Sequence, residues 1–323
     1  MRVPTRLIKS TIAGVALAAV AAGLTGCGPT FPGTSCPMFP ADSHWHADVS
    51  RLPVKTNSTA LVATVGTGAG LKADFGSGLW DGGPIGIPYV VVPAGQPKVR
   101  VTFGYADESD PGPYPVPANP PIEGGAAATG DRHLLVVDRG SCILYELYDA
   151  HPQAGGSWRA GSGAVWPLGS NALRPATWTS ADAAGLPILP GLVRYDEVAA
   201  GKIDHAIRLT VPVSRTSYTW PATHQAGSTS SVNAPAMGER FRLKASVNEA
   251  LFPASVRPII RALKTYGGIV ADNGSAWFMS GVPDARWDND ALQKLRAIRG
   301  SDFVAVDATG MKISATSGQA RPQ

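Results

Sequence analysis

The chain has 323 residues, 44% of them hydrophobic and only 16% charged, which excludes a disordered, charge-solvated polymer and leaves ample length for a buried core. Glycine (37) and proline (28) are enriched but fall short of a low-complexity composition. The formal net charge is +4, and no Lys/Arg-rich run follows the N-terminal segment, so nucleic acid is not an expected partner.

Residues 1–27 read as a targeting segment. Arg2, Arg6 and Lys9 form a basic stretch, and residues 12–24 are an apolar run too short and too rich in small residues for a spanning helix. The run closes on Leu24-Thr25-Gly26-Cys27, which resembles the lipobox of bacterial lipoproteins. That resemblance implies lipidation of Cys27, cleavage before it, and a lipid-anchored, extracytoplasmic protein on the cell membrane or outer membrane. Loss of residues 1–26 would leave 25 basic against 24 acidic residues, a net charge of +1. Cys36 and Cys142 are then the two remaining cysteines in an exported compartment, and they are expected to form a disulfide. No CxxC motif supports redox catalysis or a thiolate zinc site.

Residues 27–42 are expected to hold the lipidated cysteine and a Pro/Gly-rich tether, residues 43–310 one globular domain, and residues 311–323 a flexible tail. Strands are expected over 87–92 and 98–105, followed by a long Pro/Gly loop at 106–130. Residues 133–138 and 142–149 read as a hairpin about Arg139-Gly140. Residues 151–190 read as loops with short strands. Further strands are expected at 192–195, 203–211, 240–247, 268–271, 276–280 and 303–307. Helical spacing of Val256, Ile259, Ile260 and Leu263 predicts a helix over 254–266, and a second is expected over 290–299, each closed by a glycine. The pattern predicts a mainly β chain, a single β-sandwich or barrel-like domain with two short C-terminal helices.

Several residue sets could carry chemistry. A two-residue turn at Arg139-Gly140 would put His133 directly opposite Glu146, an acid/base pair in one register. His205 falls on an apolar strand face, with Asp204 and Arg208 on the other. Arg240, Arg242 and Lys244 alternate with apolar residues and make a cationic row, with successive side chains roughly 6.6–6.8 Å apart, a spacing that suits carboxylates or sulfates along a sugar chain. His224 and Trp220 are loop candidates for the same site. His44 and His46 could clip a metal only with a third ligand that the sequence does not supply, so neither metal nor cofactor is expected. No GxSxG, HExxH, P-loop or strand-to-helix GxGxxG motif is present, which removes serine hydrolase, zincin, NTPase and dinucleotide readings.

Residues 75–92 (FGSGLWDGGPIGIPYVVV), 107–113 (DESDPGP), 186–207 (LPILPGLVRYDEVAAGKIDHAI), 237–245 (MGERFRLKA) and 266–277 (YGGIVADNGSAW) resemble a family of secreted bacterial proteins of unassigned function. The resemblance spans most of 45–307 and implies one coherent domain; it carries no activity. The expectation is an envelope-anchored protein that binds a glycan or cell-wall polymer. The alternatives are a glycoside hydrolase, with Glu146 and one of Asp196, Glu197 or Asp204 flanking the bond, a polysaccharide lyase using His133, His205 or Tyr195 with Arg208 or Arg242, and a structural envelope lipoprotein.

Overall fold

The computed structural model describes residues 29–322; Cys27 and the targeting segment lie outside the described residues. Two sheets dominate. The larger has six strands in the order Lys72–Asp74, Phe278–Ser280, Ile207–Val211, Gly268–Asn273, Arg240–Leu243 and Phe303–Ala305. Its centre is a parallel pair, Ile207–Val211 against Gly268–Asn273, with a register shift between Leu209 and Thr210. Apolar runs such as Ile269-Val270-Ala271 suit a position covered on both faces.

The smaller sheet orders Ser162–Pro167, Ile143–Tyr148, Leu134–Asp138 and Tyr89–Val92. Alternation along it divides the interior. Leu135, Val137 and Leu144 enter the main core, while Leu134, Val136 and Tyr145 enter a second core with Val101, Tyr114 and Trp158. Every residue of Leu134–Asp138 is therefore buried.

The two C-terminal helices form as expected. A 3-10 turn, Ala254–Val256, leads into Arg257–Thr265, which buries Ile259, Ile260 and Leu263. Asn289–Lys294 starts at Asp288, whose carboxylate accepts the Ala291 N–H at 3.0 Å, a normal N-cap. Two further helices, Ser58–Val65 and Tyr195–Ala199, had no clear sequence signal. Ser58–Val65 is rich in β-branched residues and has no side-chain cap, so tertiary burial of Leu61, Val62 and Val65 holds it rather than propensity. The expected strand at 192–195 is instead a single bridge, Val193 to Gly281, before Tyr195–Ala199 begins. The architecture is mixed α/β, with substantial strand content and short helices near the C-terminus. Among the described residues no helix is long and apolar enough to cross a membrane.

Three expectations change in detail. The hairpin does not turn on two residues. The Asp138 carboxylate accepts the Gly140 N–H and the Ser141 hydroxyl, both at 2.8 Å. This widens the connection, and Asp138 pairs with Ile143. Leu135, not His133, then lies opposite Glu146. The residues expected as a tether are packed: Phe31 and Cys36 are fully buried and Met38 nearly so. The expected tail also docks, with Met311 buried and the Gly318 N–H donating to the Asn171 carbonyl. Cys36 and Cys142 are joined by a disulfide with a Cα–Cα separation of 5.3 Å.

Candidate binding cleft

Alternation and strand ends converge on one cleft of about 400 Å³. Ends of the smaller sheet supply His133, Tyr148 and Ser162; the C-terminal end of Gly268–Asn273 supplies Asp272 and Asn273. The loops at 105–108, 179–183 and 224–226 close the sides with Tyr105, Glu108, Asp182 and His224.

His133 is held from both sides. Its Nδ1 meets Glu123 Oε2 at 2.5 Å, and its Nε2 meets the Ala181 carbonyl at 3.0 Å. Two acceptors on two ring nitrogens fix an imidazolium. Burial works against that charge and the Glu123 carboxylate works for it; together they leave His133 raised to about 9. Burial likewise opposes the Glu123 charge, but the His133 imidazolium keeps that carboxyl below its ordinary value. Glu123 comes from the Pro/Gly loop at 106–130, where no periodicity signals a partner.

Beneath the cleft lies a second buried network. Arg208 donates through Nε and Nη2 to both oxygens of Asp182 at 2.7 Å, through Nη1 to the Ser280 hydroxyl at 2.7 Å, and through Nη2 to Asp272 at 3.0 Å. Burial and the neighbouring Asp182 push the Asp272 carboxyl up to about 6, against the pull of Arg208. The three strands carrying Arg208, Asp272 and Ser280 are adjacent in the larger sheet, so register alone gathers them. Asp182 arrives from a loop tied down by Ser162 and Ser180, whose hydroxyls bond the Ser180 and Leu186 carbonyls, each at 2.6 Å.

The other expected site residues divide. Glu146 and His133 share a sheet face by alternation, but Glu146 does not line the cleft. It is completely buried and accepts the N–H groups of Ile188 and Leu189 and the indole N–H of Trp166. Burial raises it to about 7 despite those donors. Its role is to clamp the 180–191 loop to the sheet, not to meet a ligand. His205 bonds Glu197 at 3.1 Å and the Ala206 carbonyl at 2.8 Å, away from the cleft.

Of the cationic row, Arg240 is buried and Arg242 half-buried, and Lys244 is exposed. Arg240 donates to the Tyr266 and His44 carbonyls. Arg242 donates to the Val49 and Leu52 carbonyls, and Lys244 to that of Ser301. The segment 44–52 covers the face that the sequence leaves open. Trp220 and Arg240 share a different cavity, of about 430 Å³, with Lys55, Glu239 and Lys312. His224 alone of the expected substrate-binding residues joins His133, with Arg208 directly beneath. His44 and His46 bond backbone carbonyls, and neither joins a metal-competent cluster among the described residues.

Among the described residues, one His/carboxylate set has donor atoms within 4.8 Å of one another: Glu123, Asp131 and His133. With both nitrogens of His133 already hydrogen-bonded, it fits a metal poorly. Four carboxylates that line the cleft, Glu108, Asp131, Asp182 and Asp272, carry no site expectation from the sequence and outnumber the two expected residues found there, His133 and His224; Asp272-Asn273-Gly274 at a strand end is the one available signal. Scans against protein-family models, curated proteins and solved structures return no match for this chain.

Proposed function

We propose that the protein is an exported, lipid-anchored envelope protein that binds a glycan or cell-wall polymer in the cleft between Tyr105, Tyr148, His133 and Asp272. The observation that supports this most directly is a preformed cleft of about 400 Å³, within the usual range of ligand sites, whose floor is held by buried ion pairs. The rings of Tyr105 and Tyr148 offer faces for a sugar ring, and the rim carboxylates offer hydrogen-bond acceptors to its hydroxyls. Pairing on Glu123 and Asp182 keeps His133 and Arg208 in place without a ligand, so little ordering is needed on binding. Lipidation is supported by the Leu24-Thr25-Gly26-Cys27 motif, and export by the Cys36–Cys142 disulfide.

The test is a polysaccharide panel applied to the full chain in detergent, read by calorimetry. Binding that is lost in Tyr148→Ala supports the reading; binding that survives it refutes the cleft as the site. Cys27→Ser should release the protein from the membrane fraction, and retention would refute the lipid anchor.

A second reading, a glycoside hydrolase, is favoured by Asp272. A carboxyl held up to about 6 is partly protonated near neutrality and could protonate a leaving-group oxygen, with Glu108 or Asp131 as its partner. Release of reducing ends that Asp272→Asn abolishes would select this reading over simple binding.

A further inference from the structure

Two residues that the sequence marks for ligand contact, Trp220 and Arg240, meet in the cavity of about 430 Å³, which shares no lining residue with the cleft. We propose that this cavity is a second ligand site, for a small sugar that carries a phosphate or a carboxylate. Its anionic group is drawn to Arg240, Lys312 and Lys55, and its ring lies against Trp220.

Arg240 is 2% exposed, and no carboxylate neutralises it. Among the described residues, the buried Arg174, Arg194 and Arg208 each pair with a carboxylate, from Asp110, Glu197 and Asp182. The buried Arg132 and Arg240 bond only backbone carbonyls. Arg132 lines neither cavity, whereas Arg240 lines this one, and its Nε–H has no acceptor. Burial with no opposing charge lowers Arg240 to about 9. A buried cation without a countercharge is costly, and an anion bound beside it offsets that cost.

The other charges round the cavity leave Arg240 unanswered. Glu239 is committed to Lys55 by an ion pair. Asp307 stands outside the lining, where it accepts the Thr309 N–H and hydroxyl and feels the charge of Lys55. His44, beside Arg240, is kept neutral by burial and by the Arg240 charge. Lys312 is exposed and makes no ion pair, and its bridge to Ala320 brings Arg321 alongside rather than a carboxylate. Even with Glu239 and Asp307 both set against Lys55, Lys312 and Arg240, one positive charge remains. The aromatic wall points to a ring. The Trp220 indole N–H donates to the Ser317 carbonyl at 2.9 Å, which fixes its plane, and Tyr218 lines the same space.

The test titrates the full chain in detergent at pH 7, by calorimetry, with glucose 1-phosphate, glucuronic acid, glucose and inorganic phosphate. At least one of the two sugar anions is expected to bind at least about fivefold tighter than glucose or inorganic phosphate, with an affinity that falls with added salt. The tighter of the two identifies the anion. Lys312→Gln should weaken that binding at least about threefold and leave the thermal midpoint unchanged, because the Lys312 side chain is exposed and unpaired. Arg240→Met should abolish the preference for the anion; if that variant does not fold, Lys312→Gln decides. Tyr148→Ala, in the first cleft, should leave this binding intact, so the two sites fail separately. Glucose or inorganic phosphate binding as tightly as both sugar anions overturns the proposal. So does sugar-anion binding that Lys312→Gln does not weaken, its loss in Tyr148→Ala, or binding of none of the four probes.

Discussion

Replacing Glu123 by Gln removes one negative charge, keeps the side-chain volume, and leaves His133 buried beside Arg208. The ion pair holds His133 at about 9 rather than its ordinary 6.5. A difference of that size corresponds to about 3 kcal/mol at about 1.4 kcal/mol per pH unit. Because the folded value lies above the unfolded one, the stabilisation is complete below pH about 6.5 and is lost as pH rises through about 9. Glu123, held below its ordinary value, gives up its share as pH falls through its folded value. The variant should therefore be less stable by about 3 kcal/mol near pH 7, a fall of roughly 5–10 °C in Tm for a chain of this size. The two proteins should converge in alkali. Imidazole titration by NMR gives the direct check: in Glu123→Gln the His133 resonance should titrate well below 9, since Asp131 alone then stands against burial and Arg208. A His133 that still titrates near 9, or a stability difference that does not change with pH, would refute the reasoning.

Three other outcomes follow from the packing. Phe31→Ala should cost about 3–5 kcal/mol, because Phe31 is completely buried against Tyr89 and Arg194; urea denaturation that leaves the midpoint unmoved would restore a free tether. Reduction of the Cys36–Cys142 disulfide opens a loop with a sequence separation of 106 and should lower stability by about 4–5 kcal/mol, measured by calorimetry with and without reductant. Arg208→Met strands the buried Asp182 and should cost about 3–5 kcal/mol near neutral pH, with partial recovery in acid as the carboxylates protonate; equal stability at both pH values would show that the network is not ionic.

Local periodicity and punctuation, by themselves, determined the C-terminal helices, most strand positions and the paired cysteines. Ile259, Ile260 and Leu263 mark a helix wherever it packs, and the strand at Leu134–Asp138 is a β-rich apolar run in any context. The expectation that Cys36 and Cys142 pair is met by the disulfide between them. What the sequence did not carry was which face another segment covers. Arg240 and Arg242 alternate as though on a wet surface, yet segment 44–52 lies over them and its carbonyls accept their N–H hydrogen bonds. The hairpin register shifted because Asp138 bonds the turn through its side chain, a choice that Arg139-Gly140 alone does not reveal.

The cleft is the clearest case. Glu123 reaches His133 from a Pro/Gly loop, and Asp182, Arg208 and Asp272 come from a loop and two strands far apart in the chain. Alternation states that a side chain leaves the sheet on a given side; it does not state what charge awaits it there. Only the tertiary fold brings those charges within hydrogen-bond distance. In the low-dielectric interior their mutual distances then decide which groups are ionised and which carboxylates are left facing the cleft.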